Sequence, residues 1–231
     1  MRFGVIVFPG SNCDRDCQYV IEKIVGETVV PIWHKEEKFP DVDILILPGG
    51  FSYGDYLRTG AIAAHSPIMQ AVMSYARKGG VVLGICNGFQ ILTESGLLPG
   101  ALLRNKNLKF ICKTIYMRVE NSNSLLTDDF VNGEVVSMPI AHAEGSYYIE
   151  AKKLASLKEH NQIIFRYCDS DGVLSESANP NGSLDDIAGI CNQDGNVFGM
   201  MPHPERVSNP LQNTVDGIRM FLSLKKTNGT A

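Results

Sequence analysis

A positive surplus is missing from this sequence. Its 21 Lys and Arg face 25 Asp and Glu, giving a formal net charge of −4 and a pI of about 5.7. No basic field is present to attract a phosphate backbone, so nucleic acid is not an expected partner. Long hydrophobic runs are also missing, and residues 44–47 and 81–83 are far too short to span a bilayer. The strand-like run 3–8 follows Arg2 but leads to no small-residue cleavage site. No signal peptide is therefore expected, and cytoplasm is the expected compartment. The G-x-x-x-x-G-K-[ST] pattern of a P-loop is absent, as are repeats and low-complexity tracts. Without a secretion signal, Cys13, Cys17, Cys86, Cys112, Cys168 and Cys191 are expected as free thiols. No zinc-like ligand spacing occurs, so no metal site is expected. Cys13 and Cys17 share a helical face with Val20, Ile21 and Ile24 and read as core packing.

Hydrophobic residues make up 44% and charged residues 20%, which is ordinary for a globular protein. The expectation is one domain over residues 1–231. Its first two-thirds alternates strand, glycine-rich turn and helix. Strands are expected at 3–8, 29–33, 43–47 and 81–85, and a helix at 13–25 stopped by Gly26. Ser66-Pro67 starts a second helix, and Gly88 to Glu94 opens a third. This alternation implies an open parallel sheet flanked by helices. Beyond Phe110, strands at 111–119, 135–138, 146–149 and 163–167 follow with few helices between them, suggesting an antiparallel extension. Asp194-Gly195 joins strands at 188–191 and 197–201 as a hairpin. A last helix is expected over about 210–224, followed by a polar, frayed tail at 225–231.

Three segments carry chemistry. Gly84-Ile85-Cys86-Asn87-Gly88 places a cysteine where a buried strand turns sharply into a helix, the G-x-nucleophile-x-G elbow. The helix end directs unpaired N–H groups at the sulfur, favouring thiolate and stabilising an oxyanion. The Asn87 N–H is the expected first oxyanion donor. A cysteine merely filling a tight junction is the plain alternative. Pro48-Gly49-Gly50, also at a strand's carboxyl end, offers the second oxyanion donor through Gly49 and Gly50. In Met201-Pro202-His203-Pro204-Glu205-Arg206, flanking prolines fix a histidine whose second N–H can reach Glu205. His34, His65 and His160 sit in apparent surface segments. His142, in Ala141-His142-Ala143-Glu144-Gly145, is open between a His–carboxylate pair, a pocket wall and a subunit contact.

Taken together, the elbow, the glycine loop and His-Pro-Glu resemble the class I, triad-type glutamine amidotransferases. More narrowly, F-S-Y-G-D-Y-L-R at 51–58 and C-N-G-F-Q at 86–90 resemble the glutaminase subunits of phosphoribosylformylglycinamidine synthases, which act in purine biosynthesis. P-G-S-N-C-D at 9–14, G-L-L-P-G-A at 96–101 and A-H-A-E-G at 141–145 extend the likeness along nearly the whole chain. The resemblance implies the flavodoxin-like fold of that class and a catalytic triad of Cys86, His203 and Glu205. It also implies that Gly49, Gly50, Asn87 and Gln90 bind the substrate L-glutamine. It implies no cofactor in this chain, with ATP and magnesium on a large synthetase subunit and a small accessory subunit completing the synthase. The 51–58 loop is a plausible contact for that synthetase. Ala143, where the family often has glycine, and a somewhat long stretch at 169–183 depart from the pattern. Three rival readings remain: a free-standing hydrolase of the same fold, a subunit serving another pathway, and a non-catalytic scaffold.

Overall fold

The computed structural model describes residues 1–211 and 214–226. In chain order, β1 (Arg2–Val7), α1 (Asp14–Tyr19), β2 (Thr28–Trp33), β3 (Ile44–Leu47), α2 (Pro67–Arg77), β4 (Val81–Ile85) and α3 (Asn87–Glu94) form the first part. Next come β5 (Ala101–Leu103), β6 (Ile111–Val119), β7 (Val135–His142), β8 (Ser146–Tyr148) and α4 (Ala151–Glu159). Finally come β9 (Ile163–Cys168), β10 (Ile187–Cys191), β11 (Val197–Met200) and α5 (Asp216–Lys225).

Nine strands build the main sheet in the order β2-β1-β3-β4-β11-β10-β9-β6-β7. The first five run parallel, with the order of a flavodoxin-like sheet. The remaining four are joined antiparallel, so the expected parallel sheet with an antiparallel extension is the observed architecture. Every residue of β3, β4 and β11 is buried, as continuous apolar strands covered on both faces require. Pro31, which cannot donate to a ladder, is tolerated because β2 is an edge strand. Phe3, Ile46, Leu83, Phe89 and Phe198 lie in the central hydrophobic core. Among the described residues, no helix is long and apolar enough to cross a membrane.

Several boundaries differ from expectation. The first helix is α-helical only to Tyr19 and continues as a π-helix over Val20–Val25, ending at Gly26 with φ +75°. The helix α4 was not anticipated, and β8 pairs with β5 in a separate two-stranded sheet. The last helix starts at Asp216, about a turn and a half late, because Val215, at φ −122° and ψ 22°, is not helical. There the Asp216 carboxylate accepts from Ser137 N–H at 2.8 Å, and Gly217 N–H donates to the Val207 carbonyl at 3.0 Å. Residues 212–213 of the expected helix and 227–231 of the expected tail lie outside the described residues.

Close approach of α3 to β3 and β4 decides where Cys86 sits. A Cβ on Gly88 would lie 1.9 Å from the Leu47 carbonyl oxygen, and one on Gly84 would lie 2.7 Å from the Gly88 backbone. Backbone cannot yield as a flexible side chain can. Gly88→Ala is therefore expected to destabilise the fold by about 3 kcal/mol. Thermal unfolding should show a Tm lower by roughly 6–12 °C for a chain of this size. An unchanged Tm would mean that α3 does not need this approach.

Candidate active site

Cys86 stands between β4 and α3 with φ +49° and ψ −103°, a conformation that costs an L-residue about 1–3 kcal/mol. Two fixed neighbours hold it there. Its N–H donates to the Met200 carbonyl at 2.7 Å, and the glycines on either side admit the tight turn. Asn87 is the first residue of α3, so its backbone N–H has no partner within the helix.

The second component comes from the neighbouring strand. Parallel pairing sets Met200 beside Ile85, so the segment leaving β11 runs alongside the one leaving β4. His203 is buried, and its Nδ1 lies 2.6 Å from Glu205 Oε1. A carboxylate only accepts, so Nδ1 carries the proton and Nε2 is left for the sulfur. Burial works against a charged imidazole, but the Glu205 carboxylate and the Cys86 sulfur outweigh it. Together with Cys13 they raise the His203 pKa well above its ordinary value. His203 Nε2 makes no hydrogen bond, while Cys86 Sγ contacts the Ala141 carbonyl at 3.8 Å. Such sites commonly close up only around substrate.

Glycine 49 completes this geometry by being small. A Cβ there would lie 2.7 Å from His203 Cε1 and 3.2 Å from Cys13 Sγ. Gly50, at φ +140°, pairs with Ser11 across the start of the loop. Farther on, Tyr53 Oη lies 2.6 Å from His34 Nδ1 and 2.9 Å from Ser66 Oγ, anchoring the loop. His34 is thus buried and partnered, not a surface residue, whereas His65 and His160 are exposed as expected.

Cys86, Gly50 and Gln90 line a cavity of about 220 Å³, together with Phe51, Asp55, Thr59, Ala141, His142, Ala143 and Glu144. Gln90 is engaged at both ends. Its Oε1 accepts from Asn87 Nδ2 at 2.9 Å, and its Nε2 donates to the Glu144 carbonyl at 2.5 Å. It therefore ties the elbow helix to the 141–145 segment and faces the cavity with what remains.

Cys17 is core, as expected, but Cys13 is not simply packing. Its sulfur lies 3.9 Å from His203 Nδ1, donates to Asn12 Oδ1 at 3.2 Å and accepts from Arg206 Nη2 at 3.3 Å. Cys13 precedes α1 at φ −103°, so helical spacing does not govern where its side chain points. Donor atoms of Cys13, His203 and Glu205 lie within 4.8 Å of one another, a spacing that suits a metal ion. A cation there would have to displace the guanidinium from the sulfur and the carboxylate from the imidazole. The arrangement instead braces the back of His203.

A family model described as a CobB/CobQ-like glutamine amidotransferase domain matches residues 1–224. The phosphoribosylformylglycinamidine synthase subunit PurQ of Gloeobacter violaceus is 54% identical over 224 residues, covering 97% of each chain. The protein of the same name from Aquifex aeolicus is 52% identical, over 97% of this chain and 99% of its own. Among solved structures, PurLQS from Thermotoga maritima aligns with a TM-score of 0.85 at 42% identity, over 97% of both chains. The glutaminase domain of Trypanosoma brucei CTPS aligns over 98% of this chain and 94% of its own. Its TM-score of 0.58 at 13% identity is a likeness of fold alone.

Proposed function

Because the chain belongs to the CobB/CobQ-like glutamine amidotransferase family, we propose that it is a glutaminase whose nucleophile is Cys86. The observation that supports the assignment is that Cys86 and His203 follow the carboxyl ends of the adjacent parallel strands β4 and β11, with Cys86 lining the cavity. Open α/β sheets bind ligands at these carboxyl ends.

Cys86 Sγ, having passed its proton to His203 Nε2, attacks the side-chain amide carbon of L-glutamine, and the carbonyl π electrons move to oxygen. The oxyanion is met by N–H groups of Asn87 and the Gly49-Gly50 loop. His203, held by Glu205, gives its Nε2 proton to the amide nitrogen, the C–N bond breaks and ammonia leaves. A water molecule, losing its proton to His203, then attacks the glutamyl thioester. Collapse returns the sulfur and releases glutamate.

The ammonia serves a synthetase subunit that converts formylglycinamide ribonucleotide to formylglycinamidine ribonucleotide in purine biosynthesis. ATP and magnesium act on that partner, a small accessory subunit joins the complex, and the expected setting is the cytoplasm. The whole chain serves as one glutaminase domain. Phe51, Tyr56 and Leu57 are exposed on the loop bordering the cavity, and an apolar patch so placed suits a docked subunit. Glutamate release should accordingly be slow from the isolated chain and rise at least about tenfold, roughly 1.4 kcal/mol of barrier, when the synthetase and its substrate are added. High activity that no partner changes would contradict the subunit role and favour a free-standing hydrolase.

A further inference from the structure

The polar groups of the Cys86 cavity are unevenly distributed. No Lys or Arg lines it, yet two carboxylates do, those of Asp55 and Glu144. The Asp55 Oδ1 atom is buried without a hydrogen-bond partner. Asp55 is turned inward by a strained run of backbone: Tyr53, Gly54 and Asp55 all have left-handed φ, at +54°, +68° and +57°. Two of these are not glycine, and such strain persists where the surrounding structure enforces it. Glu144 is fixed by Thr59, whose Oγ1 and N–H donate to Oε2 at 2.6 and 3.3 Å. Burial, then the Glu144 carboxylate, push the Asp55 pKa up to about 6.

An independent feature of the same cavity points to a donor-rich ligand. His142 is only 3% exposed. Asn105 Nδ2 donates to the carbonyls of Lys109 and His142, so Asn105 Oδ1 accepts from Gly145 N–H and from His142 Nδ1 at 3.0 Å. The His142 proton is therefore on Nδ1, and Nε2 is an acceptor with no partner. Burial and then the nearby His203 lower the His142 pKa to about 4, keeping the ring neutral. The unsatisfied polar atoms of these lining residues are thus acceptors.

Resting on the glutaminase reading above, we propose that Asp55 and Glu144 bind the α-ammonium group of glutamine and select for the free amino acid. An ammonium has three donors and a full positive charge, which matches two carboxylates in a cavity that no Lys or Arg lines. It also relieves the like-charge pair, which water in a cavity this small does poorly. Amides lacking that group, or carrying it acylated, lose this contact and gain an unpaired buried carboxylate.

The test compares ammonia release from L-glutamine and from glutaramate, which is glutamine without its α-amino group, using the chain with its synthetase partner. Wild-type protein should favour L-glutamine strongly. Asp55→Asn should narrow that preference about tenfold to a hundredfold, the scale of one charge-assisted hydrogen bond, with the change in KM more than kcat. Glu144→Gln should narrow it in the same direction, and it carries the test if Asp55→Asn does not fold. A preference unchanged in a folded variant, whether or not both rates fall, would overturn the assignment. Failure of the wild-type protein to release ammonia from L-glutamine would instead overturn the glutaminase reading itself, and this inference with it.

Discussion

Cys86→Ala is expected to lower glutamine-dependent product formation by at least about 10⁴-fold, the scale seen when a triad nucleophile is removed. Synthesis from added ammonium, measured with the synthetase partner present, should be retained. The two outcomes separate chemistry from architecture. Alanine fits the same buried site and shares the penalty at φ +49°, so the elbow should survive the exchange. No second thiol can take over. Cys13, the other sulfur near His203, lies toward Nδ1 with Glu205 and is held by Arg206 and Asn12. Loss of both activities would mark the cysteine as structural. Retained glutamine turnover would require another nucleophile.

Glu205→Gln should cost about 10⁴-fold in kcat, by analogy with amide replacement of the orienting carboxylate in a serine triad. Glu205 is buried, and its Oε1 is the partner that fixes the His203 tautomer. A glutamine there can present its amide N–H to Nδ1, which turns the proton to Nε2 and removes the base. The pH dependence follows from the charge. The Glu205 carboxylate is the strongest of the influences raising the His203 pKa in the native protein, so the imidazolium persists above the usual histidine range. Activity that needs this proton is then full below the raised pKa and is lost as pH rises through it. Neutralising Glu205 lowers that pKa, so the alkaline limb of kcat/KM should move to lower pH. A limb that stays in place would mean that another group sets it.

Much of this site was legible before the fold was known, because its determinants are local. The elbow needs two glycines within five residues, and His203-Pro204-Glu205 carries the proposed base and its proposed orienter two positions apart. Strand-end placement then follows from alternating strands and helices. What escaped was tertiary. Cys13 meets His203 across 190 residues of sequence, and helical spacing pointed it instead toward the core. His34 looked like surface, yet Tyr53 from the glycine loop covers it. The helix α4 buries only Leu157 fully, too little apolar periodicity to stand out. Asp55 stood within F-S-Y-G-D-Y-L-R at 51–58 but was given no role there, since its surroundings depend on left-handed backbone that sets it near Glu144.

The central claim is that one of six cysteines, Cys86, attacks the glutamine amide. The direct measurement is treatment with an electrophilic glutamine analogue, followed by peptide mass mapping of every cysteine. The account predicts stoichiometric label on Cys86, blocked by L-glutamine, with exposed Cys112 and buried Cys13 unlabelled. Label on Cys13 or Cys112 in its place, or label on Cys86 that glutamine does not block, would contradict it.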